Sequence, residues 1–271
     1  MRSELSFRLH ETQRFLKAIV FSVEGRRFLV SHLISTLLLT LILVASFIAV
    51  ILTLHEGFHI RRRTVVLSFS ILFFSLSIVP MLTMPFFSFK DITNKISHFL
   101  FKNNFFTNLS SHVFYHQSRN GQITLHLAKA HSVLAEKYRL IKKQKIKKDS
   151  MDKHRISRDL ALSIAKSIRD AVRLSKEYVQ AGRLKTDQVI VGATYGYLFG
   201  TAKSKLKLNR IEPGWFKRYI GNIFYRFGAL HAVFMYFVIN DKLPPSFDTV
   251  YFNARVGDVI GLPSPDSTQG S

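Results

Sequence analysis

The sequence predicts an all-α protein, with an N-terminal two-helix transmembrane hairpin followed by a basic cytosolic helical domain. Three observations predict it. Two long apolar runs without charge lie near the N-terminus. The net charge of +22 is concentrated after them. From about Gly121 onward, apolar residues recur every three to four positions, the period of a helix with one buried face. A chain that is 47% hydrophobic yet carries 39 Lys+Arg against 17 Asp+Glu must keep grease and charge in separate segments. The absence of Cys excludes disulfides, thiolate metal sites and cysteine nucleophiles.

Residues 1–27 mix Leu, Phe and Arg with a helical spacing and carry six basic and three acidic side chains. This leader fits either a short cytosolic helix or one lying along a membrane interface with Arg26 and Arg27 at the headgroups. Residues 28–54 contain no charge, and neither do residues 64–87. A hydrocarbon core of about 30 Å needs about 20 helical residues, so both runs are long enough to span. Pro80 and Pro85 kink the second run or end it early. The first run is too long for a secretory h-region, and no small-residue cleavage site follows it. Six Lys/Arg precede the first run, and Lys90, Lys95 and Lys102 follow the second, against Arg61, Arg62 and Arg63 between them. That bias predicts a multi-pass protein of the inner (plasma) membrane with both termini cytoplasmic.

The remaining domain, 88–262, is expected to be helical. Residues 90–218 hold 27 basic and nine acidic side chains, a net +18. A first helix is expected over Gln122–Lys148. It ends in a polycationic run of Lys137, Arg139, Lys142, Lys143, Lys145, Lys147 and Lys148, favourable at a helix C-terminus. Ser157 is the expected N-cap of a second helix, Arg158–Ala181, with Gly182 as its C′ residue. Thr186 and Asp187 are expected to open a third, in which Gly192, Gly196 and Gly200 share one face. Glycines at that spacing suggest close helix packing, within the domain or between copies in a homo-oligomer. A fourth helix is expected from Pro213 through Val238. It reads as a central core helix or one lying on the bilayer rather than a third span, because Arg226 is costly in mid-membrane. LPPSFDTVYFN gives a turn and one short strand, and residues 263–271 read as a disordered tail.

One motif carries enzymatic chemistry. His55-Glu56-Gly57-Phe58-His59 matches H-E-x-x-H and so resembles membrane-associated zinc peptidases. That resemblance implies Zn²⁺ on His55 and His59 with Glu56 as general base. Gly57, the adjacent arginines and the lack of a third ligand motif argue against it. The pairs His112/His116 and His126/His131 are superficially similar to the histidine boxes of membrane di-iron enzymes, but adjacent His-His pairs are missing. No P-loop, G-x-S-x-G elbow or strand-linked G-x-G-x-x-G occurs. A non-enzymatic protein without a cofactor is the favoured expectation, with a zinc metalloprotease as the alternative.

A net +18 acts on any polyanion. The expected partners are anionic membrane lipids, nucleic acid, or an acidic protein within a multi-subunit membrane complex. The plan resembles subunits of conjugation and secretion machines, an analogy of architecture alone. It points to a component or regulator of a macromolecular transfer, secretion or exclusion assembly.

Overall fold

The computed structural model describes residues 3–54, 62–86, 89–127, 130–146, 153–215, 218 and 221–262. The N-terminal part of the chain is helical. Ser3 caps α1 (Glu4–Phe21) by accepting from the Ser6 N–H at 3.2 Å. An extended Ser22 separates it from α2 (Val23–Leu54). α3 (Arg62–Thr83) absorbs Pro80 and stops before Pro85. The stretches Val23–Ala49 and Thr64–Thr83 are long and apolar enough to cross a membrane by length and composition. Both leave large apolar side chains on the outside, among them Phe47 at 64% and Leu67 and Phe74 at 61% exposure. The leader is a helix, but it is docked rather than lying free: Phe15 and Ile19 are fully buried.

The second half departs from the expectation of an all-α protein. A mixed six-stranded sheet of order β1-β2-β3-β4-β6-β5 forms its centre. After the short helix α4 (Phe89–Phe101) come β1 (Thr107–Asn108), β2 (Val113–Gln117) and β3 (Ile123–Leu127). β1 to β3 are antiparallel neighbours. The helix expected over Gln122–Lys148 is therefore split into β3 and α5 (Ala130–Ile146). Ile123 and Leu127 suit both periods, since residues four apart share a face in a strand as well as in a helix. The hairpin between β2 and β3 supplied a signal that the helical reading passed over. Gly121, after Asn120, has φ +81°, a conformation open to glycine, and its N–H bonds Ser118 O at 2.9 Å.

α6 (Lys153–Gln180) starts before the expected cap, so Ser157 lies inside it, and Gly182 with φ +69° ends it as expected. The third expected helix is also corrected. β4 (Val189–Tyr195) runs parallel to β3, and only then does α7 (Gly196–Leu206) begin. The β-branched VIVGATY segment fits a pleated, half-buried surface better than a helix. β5 (Asn209–Arg210), α8 (Asn222–Asn240), β6 (Thr249–Arg255) and α9 (Val256–Ile260) complete the chain. The short strand expected near Val250 is a seven-residue one between β4 and β5.

The glycine triplet does not form a helix face. Gly192 lies in β4 opposite Phe252 of β6, and a Cβ there would stand 2.5 Å from the Phe252 ring. An aromatic ring lies over a bare backbone. Gly196 opens α7 in ordinary contact with Asp248 and Val250, and Gly200 faces open space.

Two cores result. One face of the sheet, with Val113, Tyr115, Ile123, Ile190 and Val250, packs on α6, α7 and α9 through Ala171, Phe199 and Ile260. The other core joins the hairpin to the domain. Phe28 of α2 and Met81 and Met84 at the end of α3 meet Phe15 of α1, Leu134 of α5 and Phe234 of α8. α8 is thus a core helix, with Val233, Phe234 and Val238 fully buried.

A buried charge cluster pins this second core. Lys137 Nζ donates to Glu11 Oε2 at 2.9 Å, to Asp241 Oδ1 at 3.0 Å and to Val238 O at 2.7 Å, using all three of its protons. Arg14 bonds Glu11 at 2.6 Å and Asp241 at 3.0 Å, and its guanidinium lies over the Phe237 ring. Burial pushes the Asp241 carboxyl up, but Lys137 and Arg14 outweigh it and hold the group below its ordinary 3.8.

Two predictions test this packing. Gly192→Val destabilises the sheet by about 1–3 kcal/mol through overpacking. Phe252→Ala in the same chain recovers part of that loss, measured as the thermal midpoint in mild detergent. Lys137→Ala costs about 3–5 kcal/mol, because it leaves the buried Glu11 carboxylate with Arg14 as its one remaining cation and strips Asp241 and Val238 O of a donor. Because the folded state favours ionised Asp241, its stabilisation is present above pH about 4 and is lost as pH falls through its depressed pKa. The midpoint should fall on that acid limb, and Asp241→Asn should flatten it.

Candidate polyanion-binding surface

The described structure divides the expected polycationic run of α5 into an inner and an outer part. Lys137 is 4% exposed and committed to Glu11 and Asp241, so it is a structural cation and not a surface one. Its place in the run concealed this, because helical spacing also puts Lys137 in line with the buried Val133 and Leu134. Arg139, Lys142 and Lys143 do stand on the exposed side of α5. Lys145 belongs to α5, but its side chain falls outside the described residues, as do Lys147 and Lys148 altogether.

The more extended basic surface lies on α6. Arg155, Arg158, Lys166, Arg169, Arg173 and Lys176 are all exposed. Their spacing of three or four, with the exposed Leu162 filling the one gap, puts them in a single stripe. At 3.6 residues per turn they share an arc of about 80° and extend about 32 Å along the axis. The opposite side of the same helix carries Ile156, Leu160, Ser167 and Ala171, all buried. Ser167 secures the register: its hydroxyl accepts from the His112 N–H at 2.9 Å and bonds the Ser110 hydroxyl at 2.7 Å. Asp159, Asp170 and Glu177 fall along one border of the stripe, so its field is lopsided.

A helix anchored along one side by α5, α8, α9 and β2 presents its charges from a backbone that needs no further ordering. Such a row of guanidinium and ammonium groups can follow the charges of an extended polyanion or the headgroups of an anionic surface. Arg158 lies 4.0 Å from Asp159 at a mostly exposed position, a contact of little strength in water.

The histidine pairs are dispersed. His112 Nε2 is 3.0 Å from Glu136 Oε2, whereas His116 stacks on Phe105 with ring centres 3.9 Å apart. His126 stacks on Phe114 in the next strand, and His131 sits on α5, 4.0 Å from Asp91. Burial, followed by the neighbouring His116 and His231, lowers the His126 pKa to about 4, so it is neutral near pH 7. Among the described residues, no three His, Asp or Glu are grouped as a metal would require. His55, Glu56 and His59 lie outside the described residues. A recess of about 330 Å³ between the start of α2 and the segment 245–248 is lined by Glu24, Arg27, His32, Tyr195 and Asp248.

Because the stripe makes no contribution to either core, it can be removed without unfolding the protein. Replacing Arg158, Lys166, Arg169 and Arg173 together by Gln should leave the thermal midpoint nearly unchanged, since exposed substitutions stay within about 0.5 kcal/mol each. A collapse of the midpoint would show that these residues hold the fold.

No protein-family model matches the chain, and no curated protein or solved structure is significantly similar to it.

Proposed function

We propose that this is a membrane-anchored, non-enzymatic interaction protein whose basic domain binds an anionic partner on the cytoplasmic face of the inner membrane. The α6 stripe carries the reading: six exposed cations along one face of a helix whose other face is fully used in packing. The outward apolar surfaces of α2 and α3 support the membrane anchor, because a soluble core helix would bury such side chains. The core that joins the hairpin to the domain supports the arrangement of the ends. Phe28 and Met81 meet in it, so a spanning hairpin carries both its ends on the side of the folded domain. The Lys/Arg bias across the runs favours the cytoplasm for that side.

The partner is an anionic lipid surface, a nucleic acid or an acidic protein. All three are read by the same charges and separated by direct comparison. By analogy of plan with conjugation and secretion subunits, the chain acts as a component or regulator of a macromolecular transfer, secretion or exclusion assembly.

Binding is tested with the full chain in neutral phosphatidylcholine nanodiscs, titrated with phosphatidylglycerol vesicles, duplex oligonucleotide or a polyglutamate peptide. The Gln variant of Arg158, Lys166, Arg169 and Arg173 should bind the true partner class roughly tenfold or more weakly at low salt, with a flatter salt dependence. Equal affinities of variant and parent at every salt concentration sink the reading. Topology has its own test, since the sequence contains no cysteine. Gly57→Cys should react with an impermeant maleimide added to intact cells, and reaction only after lysis refutes a cytoplasmic location for both ends.

A further inference from the structure

α4 is amphipathic in an inverted sense. Its polar side faces the protein. Lys90, 4% exposed, bonds the Asn108 side chain and lies 4.5 Å over the Phe114 ring. Asn94 makes a two-way clasp with Phe106, accepting from its N–H at 2.7 Å and donating to its carbonyl at 3.1 Å. Ser97 donates to Asn103 O at 2.8 Å. The apolar side faces out: Ile92 is 47% exposed, Ile96 54%, Phe99 77% and Leu100 60%. These four fall at i, i+4, i+7 and i+8, one face of the helix. The polar clasp fixes which way the helix is turned, so the apolar face cannot roll inward without breaking those bonds.

What covers this face follows from where α4 sits in the chain. α3 ends at Thr83 and α4 begins at Phe89, so only five residues separate an apolar helix of spanning length from the inverted one. A link that short keeps α4 at the depth of the membrane surface. Lys95 is exposed on the flank of the apolar face, and Lys102 is exposed just past the last turn. That is where ammonium groups of an interfacial helix meet headgroup phosphates.

We propose that α4 lies in the plane of the bilayer interface, with Ile92, Ile96, Phe99 and Leu100 inserted among the acyl chains of the leaflet facing the folded domain. The inference rests on the reading that α2 and α3 cross a membrane. It goes beyond that reading by assigning a second lipid contact, which holds the sheet close to the bilayer and fixes its orientation. β1 and β2 inherit that orientation through Lys90, Asn108 and Asn94, so the surface helix and the sheet edge move as one body.

The test uses three separate single-cysteine versions of the full chain in equimolar phosphatidylcholine and phosphatidylglycerol vesicles. Phe99→Cys reports α4, Phe47→Cys reports the exposed surface of α2, and Arg169→Cys is the aqueous control. Each carries an environment-sensitive fluorophore and is exposed in turn to lipids brominated high on the acyl chain and to iodide. All three positions are exposed, so none of the substitutions disturbs a packed core. The expected result is a blue-shifted Phe99→Cys probe that loses most of its emission to brominated lipid and little to iodide. Phe47→Cys should also be shielded from iodide, and Arg169→Cys should be quenched by iodide alone. If Phe47→Cys is protected while Phe99→Cys is quenched by iodide, the hairpin reading stands and this proposal is overturned. If Phe99→Cys is shielded from both quenchers and crosslinks to a second copy, the face is a self-association surface and the proposal is again overturned. Iodide quenching at Phe47→Cys as well removes the membrane reading and the inference with it.

Discussion

The contact on which the arrangement depends is the buried meeting of Lys137, Glu11 and Asp241, with Arg14 at its edge. It joins α1, α5 and the end of α8 through residues 126 and 104 positions apart along the chain. Burying four charged groups is favourable only if each finds its partners. Here the cations and anions alternate, and Val238 O takes the third Lys137 proton. Asp241 reaches its place because it adopts the left-handed conformation, φ 54°, at the C-cap of α8. Apolar packing around the cluster sets how closely the helices approach. The cluster sets which of the three stands where, because a shift by one helical turn would strand a buried carboxylate.

The packing of α6 follows a different logic. Its apolar half is divided between the two cores, with Leu160 in the one that joins the hairpin to the domain and Ala171 in the one on the sheet. The basic half is left facing outward. This links fold to proposed function: the backbone that carries the cations is already ordered, so only their side chains lose freedom on meeting an extended anionic surface. α4 has the same design with the roles of its faces exchanged. Its polar groups are satisfied inside the protein, and its grease is turned out.

Much of the apolar helical part was legible as sequence. A run of two dozen residues without charge has few alternatives, and helix is the one conformation that satisfies its own backbone in an apolar setting. The sheet was less legible for a physical reason. Its strands are two to seven residues long, and in so short a window Ile123 and Leu127 satisfy helical and extended periods alike. Two signals did point to it: the Asn120-Gly121 turn and the β-branched run at 189–191. The α6 stripe was equally readable, since Arg158, Lys166, Arg169 and Arg173 recur at helical spacing within the expected Arg158–Ala181 helix.

Lys137 marks the boundary between the two kinds of information. Composition and order along the chain determined that this protein separates grease from charge, that both apolar runs are long enough to span, and that its basic excess falls in residues 90–218. Those are local properties, set by each residue's own solvation and by helical spacing. Which lysines are surface and which are structure was decided only when Glu11 and Asp241 arrived from distant parts of the chain. Strand against helix was decided the same way, because a strand is stable only beside the partners that complete its hydrogen bonds. Both outcomes depend on neighbours that no local window contains.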